Sequence, residues 1–198
     1  MSRYDFLVET YRTERIKTLS VWSQFADDDM NYRPEPRART PREHMVHQCV
    51  SEDNWMKKML GIDVNQSALP AIEERVEFIR WYARLSELRL DQLQTKSDEW
   101  FEEEAKFFEV TRSRAWILVR RIAHTAHHRG QLTAYLRTLG KDLYSTYGPS
   151  ADTGGLPQND AQVIYRYQSI EELIAGEETG GKNPILPKTS EPKPTERP

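Results

Sequence analysis

The sequence of 198 residues has one cysteine, Cys49, and no long apolar run. A single thiol excludes an internal disulfide framework and a cysteine-rich metal site. The longest apolar run, residues 115–119, is far shorter than the roughly 20 residues that cross a membrane. No apolar block follows a basic start at the N-terminus, as it would in a secretory signal. We therefore expect a cytoplasmic protein without a membrane partner.

An excess of basic residues is also missing. The 28 lysines and arginines are balanced by 31 acidic residues, for a net charge of −3. Nucleic-acid binding depends on cationic contacts to phosphates, so this balance predicts no nucleic-acid partner. Charged residues make up 30% of the chain and hydrophobic residues 37%, which is typical of a soluble protein. The length suits one domain with a sizeable core.

Glycine and proline are sparse in the first three-quarters of the chain, where the apolar spacing predicts helices. The clearest start is Thr40-Pro41-Arg42-Glu43, because Thr40 and Glu43 can satisfy each other's backbone amides and proline suits the first helical position. Gly61 and Gly140 are typical helix stops. The predicted helices are 5–25, 41 to about 60, 70 to about 97, and 112 to 139.

Four long helices predict an all-α protein, an antiparallel four-helix bundle over residues 1–140. Residues 141–176 are predicted to form a loop-rich C-terminal extension that packs on the bundle, with a short helix after Ser169. The proline-rich residues 177–198 are predicted to be a flexible tail. Bundles of this kind often pair through exposed helix faces, so a homodimer is expected, although no face stands out.

All five histidines fall on two of these helices, with His44 and His47 on the second and His124, His127 and His128 on the fourth. Residues four apart share a helix face, so His124 and His128 can bind one ion together. Phasing places Arg121, Gln131 and Tyr135 on the same stripe and rotates His127 away from it. Buried polar side chains need a ligand, a network or water, and incidental core histidines are the structural alternative to a metal site.

The second helix leaves two questions open. Its apolar residues share a broad face, and His47 lies on the other side, which makes it a surface residue unless a polar stripe faces a metal cavity. His44 is the competing ligand, and phasing does not choose between the two.

Two motifs carry a resemblance to a known family. They are Thr40–His47 with Glu52-Asp53-Asn54-Trp55, and His124-Thr125-Ala126-His127-His128-Arg129-Gly130-Gln131 followed by Leu136-Arg137-Thr138-Leu139-Gly140. Over about residues 5–140 the chain resembles the DinB-like (DinB/YfiT-like) superfamily of metal-binding four-helix bundles. The resemblance implies a site of three histidines, His47, His124 and His128, that holds a divalent zinc, nickel or iron ion.

Three imidazoles leave a coordination position open, as catalytic zinc sites do. Such an ion lowers the pKa of a bound water towards about 7, or binds a thiol as thiolate. The family resemblance implies a metal-dependent transferase that uses a low-molecular-weight thiol, or a hydrolase, acting on a small-molecule substrate. The alternative is a non-catalytic, stress-associated metal-binding bundle.

Four residues are candidates for the pocket around this site: Glu52, Arg121, Gln131 and Tyr135. A structural role is favoured over a catalytic one for each of them. Arg121 lies one turn from His124 and is a candidate for an anionic substrate group. If the protein is an enzyme, the loop from Gly148 to Pro157 is expected to form part of the pocket wall.

Overall fold

The computed structural model describes residues 2–155 and 160–187, and it is mostly helical. Four helices are long: α1 (Asp5–Ser23), α2 (Pro41–Lys58), α3 (Arg75–Gln94) and α5 (Arg114–Thr138). The shorter elements are α4 (Asp98–Glu102), α6 (Ile170–Glu178), and an antiparallel hairpin of β1 (Glu104–Phe107) and β2 (Val110–Ser113). Short 3-10 turns occupy Asp27–Asn31 and Ala151–Thr153.

The start of α2 and the end of α5 lie close to where the sequence predicts them, and local structure explains both. The Thr40 hydroxyl accepts from the Glu43 amide at 3.2 Å, and the Glu43 carboxylate accepts from the Thr40 amide at 2.8 Å. Gly140, with φ of +69°, follows the end of α5. The predicted start of α3 at residue 70 is wrong, because α3 begins at Arg75. Residues 71–74 are exposed and Arg75 is buried, so the helix begins where tertiary packing supports it.

The four long helices form a bundle in which two run each way. One apolar cluster joins Leu19 near the end of α1, Met45 near the start of α2, Phe78 near the start of α3 and Leu132 near the end of α5. A second cluster joins the opposite halves of the same helices. Consecutive α2 and α3 therefore point the same way, because residues 59–74 return the chain along the bundle.

The C-terminal extension packs on the bundle through α6, which contacts α1 and α3. The Glu177 carboxylate is buried and pairs with the guanidinium groups of Arg75 and Arg166. Leu186 is also buried. The prediction of a flexible tail from residue 177 is therefore wrong for residues 177–187, since the ion pairs and apolar burial attach them to the domain. Residues 188–198 of that predicted tail lie outside the described residues.

Within the described ranges, no helix combines the length and the apolarity that a bilayer crossing needs.

Candidate metal centre

Three histidines converge between α2 and α5. One ring nitrogen each of His47, His124 and His128 lies within 4.8 Å of the other two. The ring centres of His47 and His128, on facing helices, are 4.6 Å apart, and those of His124 and His128 are also 4.6 Å apart. These are the three residues that the family resemblance implies as ligands.

His47 reaches this cluster from the flank of α2. Met45 and Cys49 on the same helix are buried in the bundle core, whereas His47 is half-buried. Because α2 also packs against α5, the flank that carries His47 faces the other two histidines. The simple amphipathic interpretation of His47 as a surface residue is thus wrong, and the inward-facing polar stripe is what the structure contains.

The two remaining histidines lie beside the cluster and outside it. His44 is buried, with its ring centre 5.3 Å from that of His128 and 5.6 Å from that of Tyr135. Its Nδ1 has no hydrogen-bond partner among the described residues. His127 is exposed, as the phasing of the fourth helix predicts.

A directional chain of hydrogen bonds orients the two α5 histidines. Gln131 Oε1 accepts from His128 Nδ1 at 2.9 Å, which leaves the lone pair of His128 Nε2 free. Arg121 Nη1 donates to His124 Nδ1 at 3.2 Å, so the proton of neutral His124 resides on Nε2. That Nε2 lies 3.3 Å from His128 Nε2 and donates to it. His124 and His128 would hold a cation only with lone pairs on both Nε2 atoms, which requires the His124 proton to move to Nδ1.

The pKa values of the clustered histidines favour the neutral form that binds metals. Burial is the main cause, and it lowers the pKa of His128 to about 4. Burial and the neighbouring Arg121 charge lower the pKa of His124 to about 3. Burial and the Arg39 charge also lower the pKa of His47. All three imidazoles are therefore neutral near pH 7 and offer lone pairs.

Arg121 and Glu52 lie behind the histidines, in the bundle interior. Arg121 donates to Ser51 Oγ at 2.9 Å and to Thr125 Oγ1 at 2.6 Å, in addition to His124. It is 1% exposed, so the predicted role of binding an anionic substrate group is wrong, because the guanidinium is enclosed and already engaged. Glu52 accepts from Tyr11 at 2.7 Å, and it also contacts other buried donors.

The histidines open into a cavity of about 480 Å³. Its lining residues are Arg39, His47, Arg120, Ala123, His124, His127 and His128. None of the four predicted pocket residues belongs to this set. Gln131 and Arg121 instead orient the histidines, Tyr135 contacts His44, and Glu52 belongs to the interior network.

Two residues that line the cavity, Arg39 and Arg120, were not predicted from the sequence. Arg120 lies four residues before His124 on α5, so the i, i+4 spacing could have predicted that it shares a helix face with His124. Arg39 lies in the loop before α2, where no periodicity applies. The expected pocket wall from the loop at 148–157 is not found. Residues 148–150 line a separate depression with Tyr144 and Tyr147, and residues 156 and 157 lie outside the described residues.

A larger cavity of about 1160 Å³ lies between the end of α1, the start of α3 and the C-terminal extension. Its arginines are paired with acidic side chains, Arg75 with Asp27 and Arg80 with Glu178. No histidine is among its described lining residues, so these offer no comparable set of metal donors.

Comparison with known proteins agrees with the architecture. The sequence profile of the DinB family matches residues 1–160. A crystal structure of a DinB-like protein from Bacillus cereus superposes with a TM-score of 0.62 at 18% identity, covering 71% of this chain and 95% of that one. A DinB-like protein from Bacillus subtilis gives 0.55 at 14% identity, covering 71% and 96%. No curated protein matches this sequence. On the family match, this chain belongs to the DinB family.

Proposed function

We propose that this protein is a metal-dependent enzyme that acts on a small molecule at His47, His124 and His128. The observation that carries the proposal is that these three ring nitrogens face one another at an open cavity. A packed core would enclose incidental histidines, whereas this cluster meets a space of about 480 Å³, which is large enough for a small molecule.

The donor set fits a divalent transition metal. Three neutral imidazoles suit zinc, nickel or iron, and they leave coordination positions for a substrate. When bound, such an ion supplies a Lewis acid that lowers the pKa of a coordinated water or thiol. Gln131 holds the ring of His128 in the orientation that presents Nε2, and the packing of α2 on α5 brings His47 to the same point.

The reaction we propose is transfer to or from a low-molecular-weight thiol, or hydrolysis. Both need an activated nucleophile and a nearby proton acceptor. Among the described lining residues outside the cluster, His127 carries the one imidazole, the type of side chain that most often transfers protons in enzymes. It is exposed, and its ring centre is 5.1 Å from that of His128.

A second candidate function rests on the same lining. Within the part of the chain that the structure describes, no carboxylate lines the cavity, and Glu52 is enclosed in the interior. A site without a strong general base favours metal binding without catalysis, as in a stress-associated metal-binding bundle.

Metal content tests the central part of the proposal. We expect protein purified without a histidine tag to carry about one divalent ion per chain, because the three donors form one site. His128→Ala should lose most of it. His127→Ala is the matched control, since it removes a neighbouring imidazole outside the cluster and should retain the metal. Metal-free wild type, or undiminished metal in His128→Ala, would contradict the site.

Activity assays separate the two functions. The metal-loaded and metal-free proteins are compared in thiol-conjugation and in ester and amide hydrolysis assays. Turnover that requires the metal and is lost in His128→Ala supports an enzyme. Inactivity of the fully loaded protein across both panels supports the binding function instead.

A further inference from the structure

Two arginines at the mouth of the histidine cavity have no acidic partner among the described residues. Arg39 and Arg120 both line the cavity, and both are exposed. Neither forms an ion pair in the part of the chain that the structure describes. Glu43 is close to Arg39 in sequence, but it is engaged by Arg33 at 2.7 Å and by the Thr40 amide at 2.8 Å.

The two arginines approach the cavity from different elements. Arg39 stands directly before the N-cap of α2, and Arg120 lies one turn before His124 on α5. They therefore flank the same opening as the three histidines. Arg121, the neighbour of Arg120, is enclosed and engaged with Ser51, Thr125 and His124.

The charge at this opening is of one sign. Among the residues that the structure describes, no aspartate or glutamate lines the cavity. The guanidinium groups of Arg39 and Arg120 form no ion pair with a described residue, and a bound divalent ion would add to their positive charge. A cleft lined by one sign of charge concentrates ligands of the opposite sign. The planar guanidinium group matches the geometry of a carboxylate or a phosphate.

We propose that Arg39 and Arg120 select substrates that carry an anionic oxygen group, which they bind while the reacting atom lies at the three histidines. This inference rests on the proposed function, because it assigns the substrate class of the same site. The anionic group, a carboxylate or a phosphate, is held at the rim and lies on the molecule a few bonds from the reacting atom.

Paired thiol probes test the inference. Mercaptoacetate and mercaptoacetamide offer the same thiol to a cobalt-loaded site and differ in the carboxylate, and mercaptomethylphosphonate serves as the phosphate arm. Their affinities are measured by calorimetry and by the absorption of the cobalt ion. For each protein we take the ratio of the affinity for mercaptoacetate to the affinity for mercaptoacetamide. This ratio is then compared between wild type and an Arg39→Gln/Arg120→Gln double variant, so that differences between the two thiol groups cancel.

We expect that ratio to fall about tenfold in the double variant, since charge-assisted hydrogen bonds are lost. The anionic probe with the larger fall identifies whether carboxylate or phosphate is preferred. Arg84→Gln/Arg112→Gln is the matched control: these arginines are also exposed and without an acidic partner among the described residues, but they do not line the cavity. It should leave the ratio unchanged. An equal ratio in wild type and in the Arg39→Gln/Arg120→Gln variant would overturn the inference.

Failure of the proposed function can be told apart from failure of this inference. If the wild-type protein takes up no metal, the proposed metal site is wrong. The two arginines are then tested on the metal-free protein. Inorganic phosphate should shift the guanidinium NMR signals of Arg39 and Arg120 there and leave those of Arg84 in place. If phosphate shifts neither rim arginine, the inference fails whatever the metal content.

Discussion

Replacing Glu52 with glutamine removes the negative charge from the polar network behind the histidines. The Glu52 side chain is 1% exposed and accepts hydrogen bonds from Tyr11 at 2.7 Å and Tyr82 at 2.8 Å. Arg89 Nη1 lies 3.3 Å from one carboxylate oxygen, and Arg121 Nε lies 3.9 Å from the other. The variant therefore leaves two enclosed guanidinium groups without their shared anion.

The expected loss of stability follows from these contacts. Removing one partner of a buried ion pair costs about 3–5 kcal/mol, because the other charge stays buried and uncompensated. Arg89 keeps Asp53 at 2.9 Å, and the glutamine amide still accepts one hydrogen bond. These two compensations place Glu52→Gln at the lower end, at about 3 kcal/mol in the free energy of unfolding.

Urea unfolding followed by circular dichroism and tryptophan fluorescence measures this change. With a slope of about 2 kcal/mol per molar urea, the midpoint should fall by about 1.5 M. Glu9→Gln is the control with the same change in charge. Glu9 is exposed and pairs with Arg12 across one helix turn, so its loss should cost below about 1 kcal/mol.

A urea midpoint for Glu52→Gln equal to that of the Glu9→Gln control would contradict the expected loss of stability. It would mean that the buried guanidinium groups do not depend on the Glu52 charge. Comparable near-ultraviolet dichroism of the variant and wild type is needed first, since it shows that both start from the same packed state.

Two further predictions concern buried titratable groups. Burial, and next the Glu52 charge, raise the pKa of Tyr11 and Tyr82 well above its usual value. Both phenols stay protonated in the folded state, so the stability they contribute is present below about pH 10 and is lost as the pH rises further. Phenolate absorbance should show that they ionise together with unfolding; their ionisation in protein that keeps its native dichroism would contradict this. Burial likewise raises the pKa of the Cys49 thiol, so an aromatic disulfide reagent should not react with native protein and should titrate one thiol in urea. Reaction faster than unfolding would show that the thiol is accessible.

Helix ends were predictable where their determinants are local. Thr40 and Glu43 satisfy each other's amides within four residues, and Ser169 caps α6 by accepting from the Glu172 amide at 3.1 Å. The start of α3 was not predictable in the same way. Pro70 suits a first helical position, but α3 begins at Arg75, where the chain packs against the bundle and its residues become buried.

The candidate site was predictable in part. The spacing of His124 and His128 on one helix determines that they share a face, and the structure brings them together. Arg121 lies on the same stripe, but helical periodicity predicts which way a side chain faces and not how deeply it is buried. In the structure this arginine is enclosed by α2 side chains and by its own helix, whereas the exposed Arg120 lines the cavity.

The helical class, the family motifs and the pair of histidines on α5 were predictable from the amino-acid sequence. Hydrogen bonds and side-chain neighbours within a helix depend on residues only a few positions apart. The tertiary structure alone brought His47 to that pair and left His44 outside the cluster, since this depends on how α2 lies against α5. It also placed Arg39, from a loop, at the same opening. These contacts join residues about eighty positions apart in the chain, and packing across the bundle creates them.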